Sequence, residues 1–419
     1  MINQPEKLKN NLAFLILVLL FCSILIGFIF NEDSTGGAKK DYSNQKVVSI
    51  KFSHNLKETL LNYDKTSTRH SPIIPMYFSI FEKYKINDFN IRLSHLVISF
   101  FVYILFYICL KKKYSRENKA YLSIFACLVF LSPTVRSLAI WPDSRVYGVA
   151  TFLLSVLFYL HFINEINSKK KLLYASGNIV SLAASSYISP NFAVFSIFFF
   201  LNFIVYYKFS ITTLYITALN IILAFPAFYY LFTIGLFFLE TTAIAGVTIS
   251  QSLNPFNKLI LISSLFFFYF LPFFIFIENK KEFCKKMFNI NSIFIASTIL
   301  IISIYYFSYS KEFSGGGIFF HLSQKILNNN ILLFIISFFS ILLLIFISKL
   351  NKNNLLLIFL IFLGNPQLSV YHKYYDPLIW ILLTLLFNIE IKRDKVFNLN
   401  NISVFYIFAF SFLIISLFK

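Results

Sequence analysis

Charged residues are scarce in this chain, making up only 13% of its 419 residues. An average soluble domain carries about 25%. Hydrophobic residues reach 58%, and phenylalanine alone occurs 56 times, which excludes a soluble globular protein. Segments of about 10 residues with alternating polarity, as in membrane barrels, are also missing, because the apolar runs are far longer. The composition therefore predicts an all-α, polytopic membrane protein.

Cysteine is also rare. Of its four copies, Cys22, Cys109 and Cys127 lie within apolar runs, and Cys284 lies in a basic loop. No pair has the spacing of metal ligands, and no disulfide pairing suggests itself. The sequence therefore predicts neither a cysteine metal site nor a disulfide framework.

Acidic residues are outnumbered, 18 against 37 basic ones, so the net charge is +19. In a soluble protein this excess would suggest a nucleic-acid partner. Here the basic residues lie in short loops between apolar runs, and no basic helix with interleaved aromatic residues is present. We therefore expect no nucleic-acid partner. The excess is explained by orientation in the membrane and favours contact with anionic lipid head groups.

Long apolar runs predict a transmembrane bundle of about 13 spans. They cover residues 12–30, 91–110, 119–135, 147–165, 172–188, 191–207, 212–238, 258–277, 290–308, 328–348, 354–365, 377–389 and 401–418. Lysine-rich loops alternate with lysine-poor ones, so the N-terminus is predicted to be cytoplasmic. We expect one integral domain, residues 1–419, in the inner (cytoplasmic) membrane. Its long first loop, residues 31–90, would be periplasmic and carry amphipathic surface helices, one of them over Val47–Tyr63.

The segment Asn31–Asp41, which we call the acidic turn, holds the most promising chemistry. It follows the uncharged run Leu12–Phe30 directly and contains Glu32, Asp33 and Asp41 around a Gly-Gly pair. Carboxylates at a bilayer boundary, partly desolvated and close to cations, suit a general base or the ligand of a phosphate-bound metal. These three are the candidate catalytic residues, and a divalent cation is the one cofactor that they suggest. The alternative is a solvated loop that only ends the first helix.

Candidate substrate-binding residues are polar and aromatic residues of the loops predicted to face outward, including the long loop 31–90. The richest segment is Tyr371–Pro377, because tyrosine rings stack on sugars while lysine and histidine donate to phosphate. The alternative is an interfacial aromatic belt with snorkelling lysines. Arg92, His95 and His161 are interpreted as snorkelling or helix-packing residues and are left out. The set predicted to bind substrate or phosphate is Lys39, Lys40, His70, Arg136, Arg145, His372, Lys373, Tyr374 and Asp376.

With these residues the chain resembles the GT-C superfamily of membrane glycosyltransferases, closest to its protein-mannosyltransferase-like and lipid-A-sugar-transferase-like branch. In that family an acidic motif follows the first span, within a long first outer loop. Here Glu32-Asp33 fills that place, with Asp41 after the Gly-Gly pair, and His372–Tyr375 lies in a late outer loop. The branch usually has Asp-Glu rather than Glu-Asp, so the resemblance leaves open which carboxylate is the base.

The resemblance implies an inverting glycosyltransferase of cell-envelope glycan biosynthesis. A carboxylate would deprotonate an acceptor hydroxyl on a glycan, lipid or protein, and the sugar would leave its polyprenyl-phosphate carrier. Arg136, Arg145 or Lys373 would hold the carrier phosphate. One alternative is a surface-polysaccharide polymerase or ligase, although such proteins usually carry their large loop late in the chain. Another is a lipid-linked sugar transporter or flippase, which would place charges within its spans and show internal repeats; this sequence has almost no such charges and no repeat.

Overall fold

The computed structural model describes residues 4–66, 71–234, 254–277, 279–311, 315–365, 369–389 and 396–418. Over these ranges the regular structure is helical, without a strand. Among the described residues, eight helices are long and apolar enough to cross a membrane, or up to ten if each of two bent helix pairs forms one span. The all-helical class predicted from the sequence is confirmed, whereas the count of about 13 spans is not.

The chain divides into two compact units. Unit 1 comprises Met1–Phe237 and Phe397–Lys419, and unit 2 comprises Phe238–Val396. The α-helices of unit 1 are Gln4–Ile29, Ala38–His54, Leu56–Leu61, Ile73–Lys83, Asp88–Lys113, Lys119–Ala126, Pro133–Ile140, Ser144–Asn164, Ser168–Ile188, Phe195–Tyr207, Ile211–Ile234 and Leu399–Leu417. Those of unit 2 are Pro255–Phe270, Lys280–Met287, Ile290–Tyr305, Gly317–Leu327, Ile331–Leu350, Lys352–Leu363 and Leu378–Leu385. The expectation of a single membrane domain stays a prediction.

Several predicted spans are helical but too short or too bent to count as simple spans. The run at 354–365 forms Lys352–Leu363, which has 12 residues, and the run at 377–389 forms Leu378–Leu385, which has 8. At 1.5 Å per residue these helices cover about 18 Å and 12 Å, less than the ~30 Å hydrocarbon core. The crossings predicted at these two runs are therefore not confirmed.

A break at Ser132-Pro133 turns the predicted third span through 65°. Proline cannot donate the backbone hydrogen bond that would continue the preceding helix, but it fits the first position of a new one. The Ser132 hydroxyl accepts from the Val135 N–H at 3.1 Å and so caps the second helix. The result is the helix Pro133–Ile140, all eight residues of which are buried.

The long first loop of unit 1 is organised by three short helices. The predicted helix over Val47–Tyr63 is interrupted at Asn55, whose side chain accepts from the Glu58 N–H and begins a new helix. Helix Ile73–Lys83 packs on Ala38–His54, with the rings of Phe78 and Tyr42 6.1 Å apart. These contacts hold the helix Ala38–His54, which begins within the acidic turn, against helix Ile73–Lys83.

Candidate functional site

The acidic turn is bound to the buried helix Pro133–Ile140. The Ser34 hydroxyl donates to the Pro133 carbonyl at 2.9 Å, and the Thr35 and Ser137 hydroxyls lie 3.0 Å apart. The indole N–H of Trp141, directly after this helix, donates to the Glu32 carbonyl at 3.0 Å. The bend at Ser132-Pro133 thus brings a segment about 100 residues away in sequence against the end of the first helix.

Glu32 forms a buried ion pair with Arg136. The Arg136 Nε lies 2.8 Å from Oε1, and Nη2 contacts Oε2, which makes the pair bidentate. The two side chains are only 6% and 9% exposed. The remaining guanidinium donors reach Ser23 and the Phe130 carbonyl. Because all of the Arg136 N–H groups have partners within the protein, a substrate phosphate would have to displace one of them.

Gly27 leaves the space that this ion pair occupies. A Cβ at this position would lie 2.4 Å from the Glu32 Oε2 and 3.2 Å from the Arg136 Nη2. Real Cβ atoms are not found at the shorter of these distances, so any side chain here forces the carboxylate to move.

We therefore expect Gly27→Ala to destabilise unit 1, although alanine is normally the better helix residue by about 1 kcal/mol. The thermal midpoint of the full chain in a neutral detergent measures this. The matched control is Gly37→Ala, because a Cβ at Gly37 meets nothing within 4 Å. Equal thermal midpoints for Gly27→Ala and Gly37→Ala would contradict the close packing of Gly27 against the Glu32–Arg136 ion pair.

Asp33 is the most heavily hydrogen-bonded carboxylate of the acidic turn. Its Oδ1 accepts from the Ser137 hydroxyl at 2.8 Å, from the Thr35 hydroxyl and from three successive backbone N–H groups, those of residues 36–38. Its Oδ2 accepts from the Lys39 N–H at 3.2 Å. Asp33 therefore satisfies the first N–H groups of helix Ala38–His54, a role that Gly37 at the cap position cannot fill.

The same contacts set the ionisation of Asp33. Burial raises the pKa of this carboxyl group, but the hydrogen bonds from Ser137 and from the backbone of Lys39 and Ala38 outweigh burial. The pKa of Asp33 consequently lies below its ordinary value, and the group is ionised at neutral pH. Its Oδ2, with one hydrogen bond against five at Oδ1 among the described residues, is the oxygen with more room for a further donor.

Asp41 and the two lysines of the acidic turn lie in the first turn of helix Ala38–His54. Asp41 is half-buried, and Lys39 and Lys40 are exposed. The Lys39 ammonium lies 5.4 Å from the centre of a Trp141 ring, within the range of a cation–π contact. Asp33 binds the N–H groups at the start of this same turn, so the predicted base candidates Asp33 and Asp41 belong to one local structure.

Arg92 and His95, one helical turn apart on Asp88–Lys113, complete the end of helix Pro133–Ile140. Pro142 has no N–H to donate to the Leu138 carbonyl, which instead contacts the His95 Nε2 at 2.6 Å. The Arg92 Nε donates to the Ile140 carbonyl at 3.1 Å. Both residues thus satisfy carbonyl groups that a helix end leaves open.

The Arg92 guanidinium also contacts Asn31 and Trp141. Its Nη1 donates to the Asn31 side chain at 2.9 Å, and its guanidinium lies 3.8 Å from the centre of a Trp141 ring. The Nη2 atom is buried without a hydrogen-bond partner among the described residues. Arg92 is therefore better placed than Arg136 to receive an additional anion in unit 1.

Asp143 and Arg145 follow shortly after helix Pro133–Ile140, at the start of helix Ser144–Asn164. Both are 2% exposed. The Asp143 Oδ1 accepts from the Arg145 backbone N–H at 2.8 Å and caps the helix. Its Oδ2 accepts from the Gln45 side chain, on helix Ala38–His54, at 3.4 Å. The Arg145 side chain instead contacts the residues after helix Ser168–Ile188, with its guanidinium 4.6 Å from the Phe192 ring centre.

We define the polar cluster as Glu32, Asp33, Arg92, Arg136, Asp143 and Arg145. It contains three carboxylates and three guanidinium groups, so its own charges balance when all are ionised. A bound phosphate would add negative charge that the exposed Lys39 and Lys40 are available to offset. Within the cluster Glu32 and Arg136 neutralise each other, whereas the Arg92 Nη2 atom has no hydrogen-bond partner among the described residues.

Unit 2 contains its own polar group, built on the predicted segment Tyr371–Pro377. The hydroxyl of Tyr269 lies 2.9 Å from the His372 Nδ1 and also interacts with the buried Asp376. The indole N–H of Trp380 donates to the Tyr269 carbonyl at 3.0 Å. His372 and Asp376 therefore meet through a tyrosine that sequence reasoning did not select.

Lys373 and Tyr374 are half-buried beside that group. The Lys373 ammonium lies 5.7 Å and 5.8 Å from the ring centres of Tyr371 and Tyr374. This geometry combines a cation with two aromatic rings, as expected for a residue that binds a phosphate or a sugar. The binding roles of these residues stay predictions.

The predicted residues thus separate by location. In unit 1, Glu32, Asp33, Lys39, Lys40, Asp41 and Arg136 lie at the acidic turn, whereas the Arg145 guanidinium contacts Ser189 and Phe192 instead. Unit 2 brings together His372, Lys373, Tyr374 and Asp376. His70 lies outside the described residues. No group of three or more potential metal ligands is present in the parts of the chain that the structure describes.

Sequence reasoning missed Arg92, His95, Asp143 and Tyr269. The spacing of Arg92 and His95 was a usable signal, because residues three apart share one helix face. Pro142 was a second signal, since it predicts an unpaired carbonyl four residues earlier. Tyr269 had no local signal, because it lies 103 residues from His372.

Comparison with known proteins adds no identity: the chain matches no protein-family model, no curated protein and no solved structure.

Proposed function

We propose that this protein is a membrane glycosyltransferase that moves a sugar from a polyprenyl-phosphate carrier to an acceptor hydroxyl. The polar cluster of unit 1 supports the proposal more than any other feature. Buried charges are costly, and a helix bundle destined for a membrane retains them mainly where they have a function. Here Glu32, Asp33 and Arg136 lie where the first helix ends, and this is the position at which GT-C enzymes carry their acidic motif.

In the proposed reaction the Asp33 Oδ2 accepts the proton of the acceptor hydroxyl. The acceptor oxygen attacks the anomeric carbon of the sugar, and the bond from that carbon to the carrier phosphate breaks. The phosphate departs with the bonding electrons, and the configuration inverts. Lys39 and Lys40 offset the negative charge of the phosphate. Glu32 is a positioning residue in this scheme, because its carboxylate already binds Arg136.

The decisive experiment uses the full chain in proteoliposomes with radiolabelled polyprenyl-phosphate sugars as donors. Transfer of label to a water-soluble or lipid acceptor, dependent on Asp33, supports the proposal. The transporter alternative predicts that the labelled donor crosses the bilayer with its phosphate–sugar bond intact. That result, together with no sugar released from any donor, would overturn the glycosyltransferase assignment.

The proposal also requires the acidic turn to face away from the cytoplasm. We expect a membrane-impermeant maleimide to label Lys40→Cys on intact cells, and Lys170→Cys only after the cells are opened, because both native side chains are exposed at positions assigned to opposite faces. The background is Cys22→Ser and Cys284→Ser, which removes the two exposed cysteines. Labelling of position 170 but not position 40 on intact cells would be incompatible with an outer active site.

A further inference from the structure

Unit 2 contains a cavity of about 320 Å³ that is separate from the group around His372. The described residues that line it are Lys311, Phe320, His321, Gln324 and Lys325. Two ammonium groups, an imidazole and a carboxamide face one space, and none of the five residues is acidic. Its volume lies at the lower end of the range of ligand pockets, about 300–1,000 Å³, and suits a small polar group.

Phe320 forms the apolar part of the cavity lining, and its ring has room there because residue 316 is a glycine. Gly316, with φ +95°, precedes helix Gly317–Leu327, and a Cβ there would lie 2.5 Å from the Phe320 ring. Its N–H donates to the Val370 carbonyl at 2.9 Å, which fixes the start of the helix. Phe320, 1% exposed, also packs edge-on against Tyr309 at 5.2 Å. The apolar base beneath the polar groups is therefore firmly held.

The other end of the helix positions the polar rim. Asn328 ends the helix with φ 52°, and its side chain accepts a hydrogen bond from the Lys311 ammonium. The Gln324 carboxamide binds Asn330, and the Ser323 hydroxyl binds the Asn329 carbonyl. The asparagine run 328–330 thus ties Lys311 and the helix together, so that Lys311 and Lys325 border the same space.

We propose that this cavity binds a phosphate group, with Lys311 and Lys325 as its cationic contacts and His321 and Gln324 as further donors. Ammonium groups form charge-assisted hydrogen bonds to phosphate oxygens. The phosphate could belong to a lipid head group or to a soluble phosphate compound. The lipid source is favoured by Leu322 and Ile326, which are 40% and 62% exposed on the same helix and offer an apolar surface beside the charges.

Calorimetric titration of the purified full chain in a neutral detergent tests the site. The probes are dihexanoylphosphatidylglycerol, the zwitterionic dihexanoylphosphatidylcholine and inorganic phosphate. We expect phosphatidylglycerol to bind more tightly than phosphatidylcholine. Lys311→Ser with Lys325→Ser should raise the dissociation constant about tenfold or more, because two charge-assisted contacts are lost. The pair Lys311→Arg and Lys325→Arg should retain binding.

The matched control is Lys280→Ser with Lys281→Ser, which removes two exposed lysines elsewhere in unit 2. Binding of phosphatidylglycerol that is lost only at positions 311 and 325 supports a lipid head-group site. Binding of inorganic phosphate alone, with the same dependence, supports a site for soluble phosphates. Two results would overturn the proposal. One is an equal loss of binding affinity in both serine double variants, and the other is that the native chain binds neither phosphatidylglycerol nor inorganic phosphate. Sugar transfer is not measured, so failure here leaves the proposed function intact.

Discussion

Replacing Arg136 by methionine is expected to lower the free energy of unfolding by about 3–5 kcal/mol. Arg136 and Glu32 are both nearly inaccessible to solvent, and the guanidinium also binds Ser23 and the Phe130 carbonyl. Removing it leaves a carboxylate that is buried without its counter-charge, which is costlier than the loss of the pair itself. Denaturation of the full chain in mixed micelles with increasing sodium dodecyl sulfate measures the change.

The comparison for this variant is Lys46→Met, which breaks the ion pair between Lys46 and Asp88. That pair has a similar distance, 2.7 Å, but its side chains are 33% and 42% exposed. We expect a loss below about 1 kcal/mol there, because water screens the charges. The double variant Glu32→Gln with Arg136→Met should regain part of the stability lost in Arg136→Met alone. If the Arg136 and Lys46 variants lose equal stability, Glu32 does not need Arg136 to remain buried.

Asp33→Asn is expected to reduce sugar transfer by about 10²–10⁴-fold, the range typical of general-base catalysis, while leaving the chain folded. The amide oxygen of asparagine can still accept hydrogen bonds from the backbone N–H groups of residues 36–38, and only the contact of Oδ2 with the Lys39 N–H is lost. Asparagine cannot accept the proton of an acceptor hydroxyl. The measurement is the initial rate of label transfer from the polyprenyl-phosphate donor, with the thermal midpoint recorded in parallel.

Asp33→Ala separates the structural role of this residue from the chemical one. It removes both the base and the cap, so it should also cost about 1–2 kcal/mol in stability. Asp41→Asn tests the second candidate base. Full activity in Asp33→Asn together with loss in Asp41→Asn would transfer the catalytic role to Asp41, and full activity in both would refute the assignment of the site.

Ser137→Ala tests through the pH dependence of the transfer rate whether Asp33 acts as a base. If Asp33 had only a structural role, this substitution would not shift that pH dependence. The Ser137 hydroxyl stabilises the ionised carboxylate, so its removal raises the pKa of Asp33. A base works only when ionised, and activity falls as the pH drops through its pKa. The acidic limb of the rate profile should therefore shift to higher pH in Ser137→Ala, while Asp33→Asn should have no such limb.

The sequence predicted the helical class correctly because membrane helices are encoded locally. The uncharged run 12–30 lies within the helix Gln4–Ile29 except for its last residue, although the helix begins eight residues before the run. Cap signals were equally local: Asn87 and Asn118 begin their helices by accepting backbone N–H groups two or three residues ahead. The position of the acidic turn, directly after the first helix, follows from the same short-range rules.

The predicted number of spans is not confirmed where helix geometry depends on more than hydrophobicity. Ser132-Pro133 was visible in the sequence, but the 65° bend and complete burial of Pro133–Ile140 require surrounding helices to cover it. A cation or histidine at a span end is usually interfacial, so the sequence alone does not select Arg92 and His95. Their role arises only once the carbonyl groups of residues 138 and 140 lie next to them.

By itself, the sequence determined that this chain forms apolar helices and that carboxylates emerge where the first of them ends. These properties depend on residues within a few turns of one another, since hydrophobicity and hydrogen bonding in a helix are local. Only the tertiary structure decided that Glu32 is held by Arg136 while the Asp33 Oδ2 has a single contact among the described residues. Side chains 104 residues apart can pair only after folding brings them together, and burial then determines which charge is neutralised by its neighbour.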